Sequence, residues 1–272
     1  MKIEKLYAVL NFIFFIAAFT VSSLSQTRFF GKNTIADVSY QYDTLFTPAG
    51  ITFSIWGLIY VSLFAFCIYH LIGAFTKKPD DEVNVQLRQI DWLFIINNMA
   101  SAAWVLVWVN EMVVVSVFLM IIQLLTLIFI CKQAHIFNKH RSLSSILFTQ
   151  FPISIYFGWI TVATVVNMNA ALYAYGWSGG PISTTYWTII LIGLTALVAI
   201  LVIMVKKNVF YGLVIIWAFY GIILKNRDSG SSEEIIIAAV AAIALVALTA
   251  IIEFYKLVKP PGSPLPPSVH SN

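Results

Sequence analysis

Charged side chains are scarce in this chain. Only 10% of its 272 residues are Asp, Glu, Lys or Arg, and 60% are hydrophobic. A soluble domain carries roughly 25% charged residues, whereas a membrane-spanning helix needs about 20 consecutive and mostly apolar ones. With a mean hydropathy of +0.88, the composition excludes an ordinary soluble domain and predicts an all-α, polytopic bundle of transmembrane helices.

The chain also lacks the usual marks of an enzyme. It has no nucleophile elbow, no phosphate-binding glycine loop and no cluster of metal ligands, and its two cysteines, Cys67 and Cys131, form no metal-binding pattern. The ionisable residues in or near the spans lie close to span ends, and we interpret them as interfacial; they are His70, Asp91, Glu111 and Glu253. Catalysis needs titratable groups in a protected site, so we predict that the chain is not an enzyme and binds no metal.

The apolar runs predict about eight spans. They cover residues 6–24, 50–74, 91–109, 113–130, 147–168, 186–205, 209–224 and 235–257. The seventh run starts close behind the sixth, which predicts a tight helical hairpin. The first run is interpreted as a retained span and not as a signal peptide, because no small-x-small cleavage site follows it.

An even number of spans puts both termini on one side of the membrane. Twelve of the 16 Lys and Arg residues then fall on that side, and the other side holds Arg28, Lys32, Lys225 and Arg227. Because basic residues concentrate in cytoplasmic loops, we predict that both termini are cytoplasmic. The excess of positive charge therefore reflects topology, with the lipid bilayer as partner, and does not indicate binding to nucleic acid.

Turn signals divide the chain. Gly176, Gly179, Gly180 and Pro181 stand between the fifth and sixth spans. The predicted units are a five-helix transmembrane unit over residues 1–176, a three-helix transmembrane extension over 177–258 and a Pro-rich, disordered tail over 259–272.

One external loop, residues 25–46, is large enough to act as a lid. It is polar, and Tyr40, Tyr42 and Phe46 stand close to its membrane end. These aromatic side chains are placed to close over an apolar ligand. The sequence therefore predicts that this loop covers the external mouth of a pocket.

Polar-edged aromatic residues recur at helical spacing in three spans. In the fifth, Trp159, Ala163 and Asn167 stand four residues apart and so share one helix face. An indole N–H and an amide find no partner in hydrocarbon, which indicates that the face points into the protein. The second and third spans have comparable faces, Phe53, Trp56 and Tyr60 on one and Asn97, Ser101, Trp104 and Trp108 on the other. Such faces are typical both of simple packing and, where they converge, of a small-molecule pocket.

These motifs resemble the tryptophan-rich sensory protein family, also called TspO, translocator protein or peripheral benzodiazepine receptor. The family's last core helix has a Trp-x3-Ala-x3-Asn pattern, matched by Trp159, Ala163 and Asn167. Its second helix begins with a proline, followed by a tryptophan eight residues on and a tyrosine four beyond, matched by Pro48, Trp56 and Tyr60. The resemblance covers residues 6–173, and the last three spans look like the extension of the family's long, eight-span members.

The resemblance implies a five-helix core that binds porphyrins and other hydrophobic ligands. It implies an integral protein of a bacterial cytoplasmic membrane, admits a homodimer and implies no covalent cofactor, with a porphyrin or haem as ligand. The candidate ligand-binding residues are Pro48, Phe53, Trp56, Tyr60, Asn97, Ser101, Trp104, Trp108, Tyr156, Trp159, Ala163 and Asn167.

Two functions follow from the sequence. The first is a receptor or sensor that binds a hydrophobic, planar ligand in an aromatic intramembrane pocket. The alternative is a permease subunit or a carrier for an apolar small molecule, which could work without the membrane carboxylate of an ion-coupled transporter. A purely structural scaffold is the third class, and it predicts that no ligand stabilises the protein.

Overall fold

The computed structural model describes residues 3–136, 141–177, 179–230 and 232–258, and it contains helices and no strand in those ranges. The predicted tail over 259–272 lies outside the described residues. The helices are α1 (Ile3–Ser25), α2 (Ile35–Gln41), α3 (Ile55–Thr76), α4 (Glu82–Ile90), α5 (Leu93–Val109), α6 (Val113–Gln133), α7 (Leu143–Ser145), α8 (Phe151–Ala174), α9 (Thr184–Lys206), α10 (Val209–Asp228) and α11 (Glu233–Val258). A 3₁₀ turn, Gly50–Ser54, leads into α3, and a π-helical turn, Ile146–Gln150, joins α7 to α8.

The predicted spans are confirmed, with one qualification. Seven helical segments of the described chain are long and apolar enough to cross a membrane. The remaining predicted span, 91–109, corresponds to α5, which has only 17 residues and is long and apolar enough to cross a membrane only together with α4, from which it is bent by 53°. Asp91 stands at the break, where its φ of 52° cannot continue a helix.

The contacts of α4 and α5 show that α5 crosses the bundle. At one end, Arg88 of α4 pairs with Glu4 in the first turn of α1. At the other end, Asn110, which follows α5, donates a hydrogen bond to Phe30 O in the 25–46 loop at 3.2 Å. We call the end that carries this loop the lid end.

The predicted hairpin between the sixth and seventh spans is also confirmed. Two residues separate α9 from α10. Lys207 adopts a left-handed conformation that ends α9, and the side chain of Asn208 accepts a hydrogen bond from Tyr211 N at 3.1 Å, which caps α10.

The α7–α8 span lies at the centre of the bundle and runs over Leu143–Ala174, well beyond the predicted 147–168. In its most apolar stretch 72% of the residues are buried, against 28–50% in the other spans. Gly158 lets α10 approach, because a Cβ there would lie 3.0 Å from Tyr211 O. The five-helix unit and the three-helix extension therefore pack directly against each other through α8 and α10.

Candidate ligand-binding site

Aromatic rings from α3, α8 and the turn before α3 form one wall of the candidate site. Trp56 stacks on Tyr60 with ring centroids 5.4 Å apart. The ring of Trp159 meets Phe53 edge to face at 5.6 Å and Trp56 at 6.2 Å. These offset and edge-on arrangements are the ones that aromatic pairs prefer, so the wall is a packed and ordered surface.

Asn167 ties a second wall together. Its carbonyl oxygen accepts a hydrogen bond from Trp104 Nε1 at 2.9 Å, and its amide donates to Ser116 Oγ at 2.8 Å. Trp104 in turn stacks on Trp108 at 5.6 Å. The predicted inward face of α8 is thus real, and its buried amide is satisfied by α5 and α6.

The walls enclose a cavity of about 470 Å³. Six of the predicted site residues line it, namely Pro48, Phe53, Trp56, Tyr60, Ser101 and Trp104. The 25–46 loop contributes Ile35, Ser39, Tyr40 and Asp43 among others, so the loop lines the cavity; that it does so on the external side stays a prediction.

A smaller space of about 40 Å³, which we call the annex, shares several of these walls. Trp108, Trp159, Ala163 and Asn167 line it, which brings ten of the twelve predicted residues to the combined site. The annex is large enough for a small substituent of a bound molecule.

Two predicted residues lie outside both spaces. Asn97 is fully buried and donates hydrogen bonds to Gln123 O at 3.0 Å and Thr126 Oγ1 at 2.8 Å. The hydroxyl of Tyr156 contacts Gln123 Oε1 at 3.3 Å. Asn97 thus joins α5 to α6, and Tyr156 joins α8 to α6. Their assignment to the pocket was wrong because helical spacing identifies an inward face and does not identify the neighbour that covers each residue.

Trp159 differs from the other indoles of the site. It is 2% exposed, and its Nε1–H has no hydrogen-bond acceptor among the described residues. An unpaired buried donor typically costs about 1–3 kcal/mol. Trp159 is therefore the donor with most to gain from an acceptor supplied by a ligand.

Glu111 holds the 25–46 loop in place. Its carboxylate accepts hydrogen bonds from Gln41 Nε2 and Asn33 Nδ2, each at 2.8 Å, and from Tyr42 OH at 3.2 Å. These bonds lower the pKa of Glu111, and the bond from Gln41 has the largest effect, followed by the bond from Asn33. Tyr42 thus belongs to the anchor of the loop.

Of the three aromatic residues expected to close over a ligand, only Tyr40 lines the cavity. Phe46 is fully buried in the hydrophobic core. The expectation was therefore wrong for Tyr42 and Phe46, because loop length alone does not indicate which side chains face inward.

Four residues of α10, none of them predicted, complete the site. Trp217 Nε1 donates to Thr52 O at 2.9 Å, and Gly221 O accepts from Ala49 N at 2.9 Å. Asn226 Nδ2 donates to Leu45 O at 2.9 Å. Lys225 lines the cavity and pairs with Asp43. One signal in the sequence pointed to this arrangement, namely the predicted placement of Lys225 on the same side of the membrane as the 25–46 loop.

Two residues that we interpreted as interfacial are buried between helices. His70 is 1% exposed, and its Nε2 lies 3.1 Å from Thr149 Oγ1 of the π-helical turn. Glu253 is 3% exposed and pairs with Lys207 at 2.7 Å and Lys256 at 2.8 Å. Position near a span end did not indicate exposure, because neighbouring helices cover both side chains.

The fold and the site define an integral membrane helix bundle with an aromatic cavity under a polar loop. A family model described as TSPO-like protein matches residues 8–252. The chain therefore belongs to the TSPO-like protein family. The match extends well beyond the expected 6–173 and includes α9, α10 and most of α11. No curated protein and no solved structure matches the chain.

Proposed function

We propose that this chain is a receptor or sensor of its membrane and that its cavity binds a hydrophobic, planar molecule of the porphyrin type. The observation that carries the proposal is the 470 Å³ cavity between the stacked Trp56–Tyr60 pair and Trp104. Small-molecule sites typically measure about 300–1,000 Å³ and have apolar walls with a few polar groups. A flat ligand would gain offset stacking on these rings.

The chemistry of the walls favours a metal-free ring over haem. Histidine, cysteine and methionine are common protein ligands of haem iron, and the described residues that line the main cavity include none of the three; the less common ligand tyrosine is present as Tyr40 and Tyr60. A tetrapyrrole would therefore be held by stacking and by hydrogen bonds, with the annex as a place for one of its substituents.

The same lining supports binding without catalysis. Among the described residues of the cavity wall, the charged ones are Asp43 and Lys225, and they pair with each other. General acid–base chemistry needs a group poised against the reacting atoms. We propose no reaction for this site.

The test is ligand affinity measured by quenching of Trp fluorescence, with protoporphyrin IX as the probe. Trp56→Ala should weaken binding roughly tenfold, because it removes a stacking face. Trp92→Ala is the matched control, since Trp92 is 44% exposed and lies outside the cavity. Equal effects of the two substitutions would contradict the proposal.

Transport is the alternative output, and flux separates it from sensing. Movement of a porphyrin or another apolar molecule across proteoliposomes, or co-purification of an ATPase, would favour a carrier or a permease subunit. Failure of every ligand to raise the melting temperature would favour a scaffold. The proposed homodimer is checked by the mass of the detergent-solubilised protein.

A further inference from the structure

Two opposite charges stand on the wall of the cavity, whose other described lining residues are uncharged. Lys225, from α10, forms an ion pair with Asp43 of the 25–46 loop, and its Nζ also lies 3.5 Å from Thr44 O. Both charged residues line the cavity. A pair that served only to fasten the loop would have no need to face the ligand space.

The two partners differ in how firmly they are held. Lys225 belongs to α10, and the hydrogen bond from Asn226 Nδ2 to Leu45 O at 2.9 Å fastens that helix to the 25–46 loop. Its side chain is 21% exposed, whereas that of Asp43 is 38% exposed and belongs to a loop. Asp43 can therefore return to water at lower cost than Lys225.

The ammonium of Lys225 has capacity for another acceptor. A lysine ammonium carries three N–H donors, and Asp43 and Thr44 O account for two of them. An incoming carboxylate would meet a third donor, or would replace the carboxylate of Asp43 with an equivalent one. A cationic ligand would instead have to move the ammonium of Lys225, the less exposed partner, away from Asp43, and this is the less favourable exchange.

We propose that Lys225 is an anion-recognition residue and that the cavity takes an amphiphilic acid, with its apolar body between the aromatic walls and its carboxylate on the Lys225 ammonium. Asp43 occupies the place of the ligand's acid group when no ligand is bound. This inference rests on the proposed function and specifies its ligand class. It also assigns the three-helix extension a direct part in binding.

The experiment compares acids with their esters. The probes are protoporphyrin IX and its dimethyl ester, and oleic acid and methyl oleate, each titrated against the full-length protein in detergent. Lys225→Gln should weaken binding of the acids by roughly 10- to 100-fold, the usual value of a hydrogen bond to a charged group, and should change ester binding less than about twofold. Lys225→Arg should keep acid binding.

Two further variants sharpen the comparison. Asp43→Asn removes the competing carboxylate and should tighten binding of the acids without changing that of the esters. Lys32→Gln is the matched control, because Lys32 is an exposed cation of the same loop that does not line the cavity. Melting temperatures of all variants show whether any of them has lost its fold.

Each outcome supports or overturns the inference. If Lys225→Gln weakens the binding of acids and esters equally, Lys225 serves only to fasten the loop. If it changes the binding of neither, Lys225 takes no part in the site. Either result overturns the inference and leaves the cavity proposal intact. If only oleic acid binds and depends on Lys225, the acid class stands and the planar ligand fails. If none of the four probes binds, both proposals are overturned.

Discussion

Ala163 is the residue at which added bulk most directly probes the annex. It stands one turn from both Trp159 and Asn167 and borders the 40 Å³ space. We predict that Ala163→Leu weakens porphyrin binding by about 1–3 kcal/mol, the usual range for overpacking, with a nearly unchanged melting temperature. Fluorescence titration beside thermal unfolding measures both quantities.

The matched control for this substitution is Ala171→Leu on the same helix. Ala171 lines a different groove, next to Val114 and Met168, so the substitution Ala171→Leu adds the same bulk away from the annex. A lowered melting temperature in Ala163→Leu, with unchanged porphyrin affinity, would mean that the annex is ordinary helix packing.

Asn167 should matter for stability as well as for the shape of the site. Its removal leaves Trp104 Nε1 without its acceptor and takes one hydrogen bond from Ser116 Oγ, which keeps its bond to Val113 O. We predict that Asn167→Ala lowers the free energy of unfolding by about 1–3 kcal/mol, as expected when buried polar groups lose their partners. Asn110→Ala, at an exposed position, should cost less, and denaturant titration of both variants checks the difference.

Sequence spacing predicted the residues of this site unevenly, for a physical reason. Trp159, Ala163 and Asn167 share a face because the helix repeats every 3.6 residues, and that face reaches the annex. Spacing cannot indicate which neighbour covers a face, so Asn97 and Tyr156 were assigned to the pocket although they contact Gln123. Lys225 follows no pattern shared with α3 or α8 and reaches the cavity only through tertiary packing.

At the scale of elements, the approach of α10 to the Pro48–Thr52 segment depends on Gly221. A Cβ at that position would collide with Thr52 Oγ1 and lie 2.9 Å from Pro48 Cβ. We predict that Gly221→Ala lowers both the melting temperature and porphyrin affinity, because the segment that lines the cavity must move. Gly193→Ala on α9 is the control, since nothing lies within 4 Å of its Cβ; it should be neutral or raise stability by up to about 1 kcal/mol through helix propensity.

The 25–46 loop should loosen in acid. Hydrogen bonds from Gln41, Asn33 and Tyr42 lower the pKa of Glu111, so its contribution is present above the ordinary pKa and is lost as the pH falls through the lowered value. We predict that hydrogen exchange in residues 25–46, corrected for its intrinsic pH dependence, increases as the pH falls below the ordinary glutamate pKa value of 4.5. Porphyrin should slow that exchange at neutral pH.

Glu111→Gln isolates the contribution of this carboxylate. Asp37, within the same loop, also has a lowered pKa. The hydrogen bond that its carboxylate accepts from Thr34 N is the larger cause, and the hydrogen bond from the Arg28 side chain is the next. If the acid-induced loosening persists unchanged in Glu111→Gln, Asp37 and not Glu111 holds the loop at neutral pH.

The elements themselves followed from hydropathy because lipid imposes a simple rule, namely that each crossing must be a helix with satisfied backbone groups. The bend between α4 and α5 did not follow, since the 91–109 run looks like one ordinary span. The bend depends on the backbone conformation of Asp91 and on the contact of Arg88 with Glu4. Neither feature can be read from the hydropathy of the sequence.

At the scale of the whole molecule, the structure separates two ends, and the basic residues predict which one faces the cytoplasm. In a background of Cys67→Ala and Cys131→Ala, we predict that Lys32→Cys reacts with an impermeant thiol reagent added to intact cells and that Lys77→Cys does not. Both positions are exposed, so access depends only on sidedness. The reverse pattern would place the lid end in the cytoplasm.

The pairing of Asp43 with Lys225 has a consequence for how the protein is made. The two residues are 182 positions apart in the chain, and synthesis at about 5–20 residues per second separates their emergence from the ribosome by roughly 10–40 s. During that interval Asp43 lacks its Lys225 partner, and Thr52 O lacks the hydrogen bond from Trp217. If Lys225 takes part in binding as proposed, we expect a chain that ends before α10 to lack that binding.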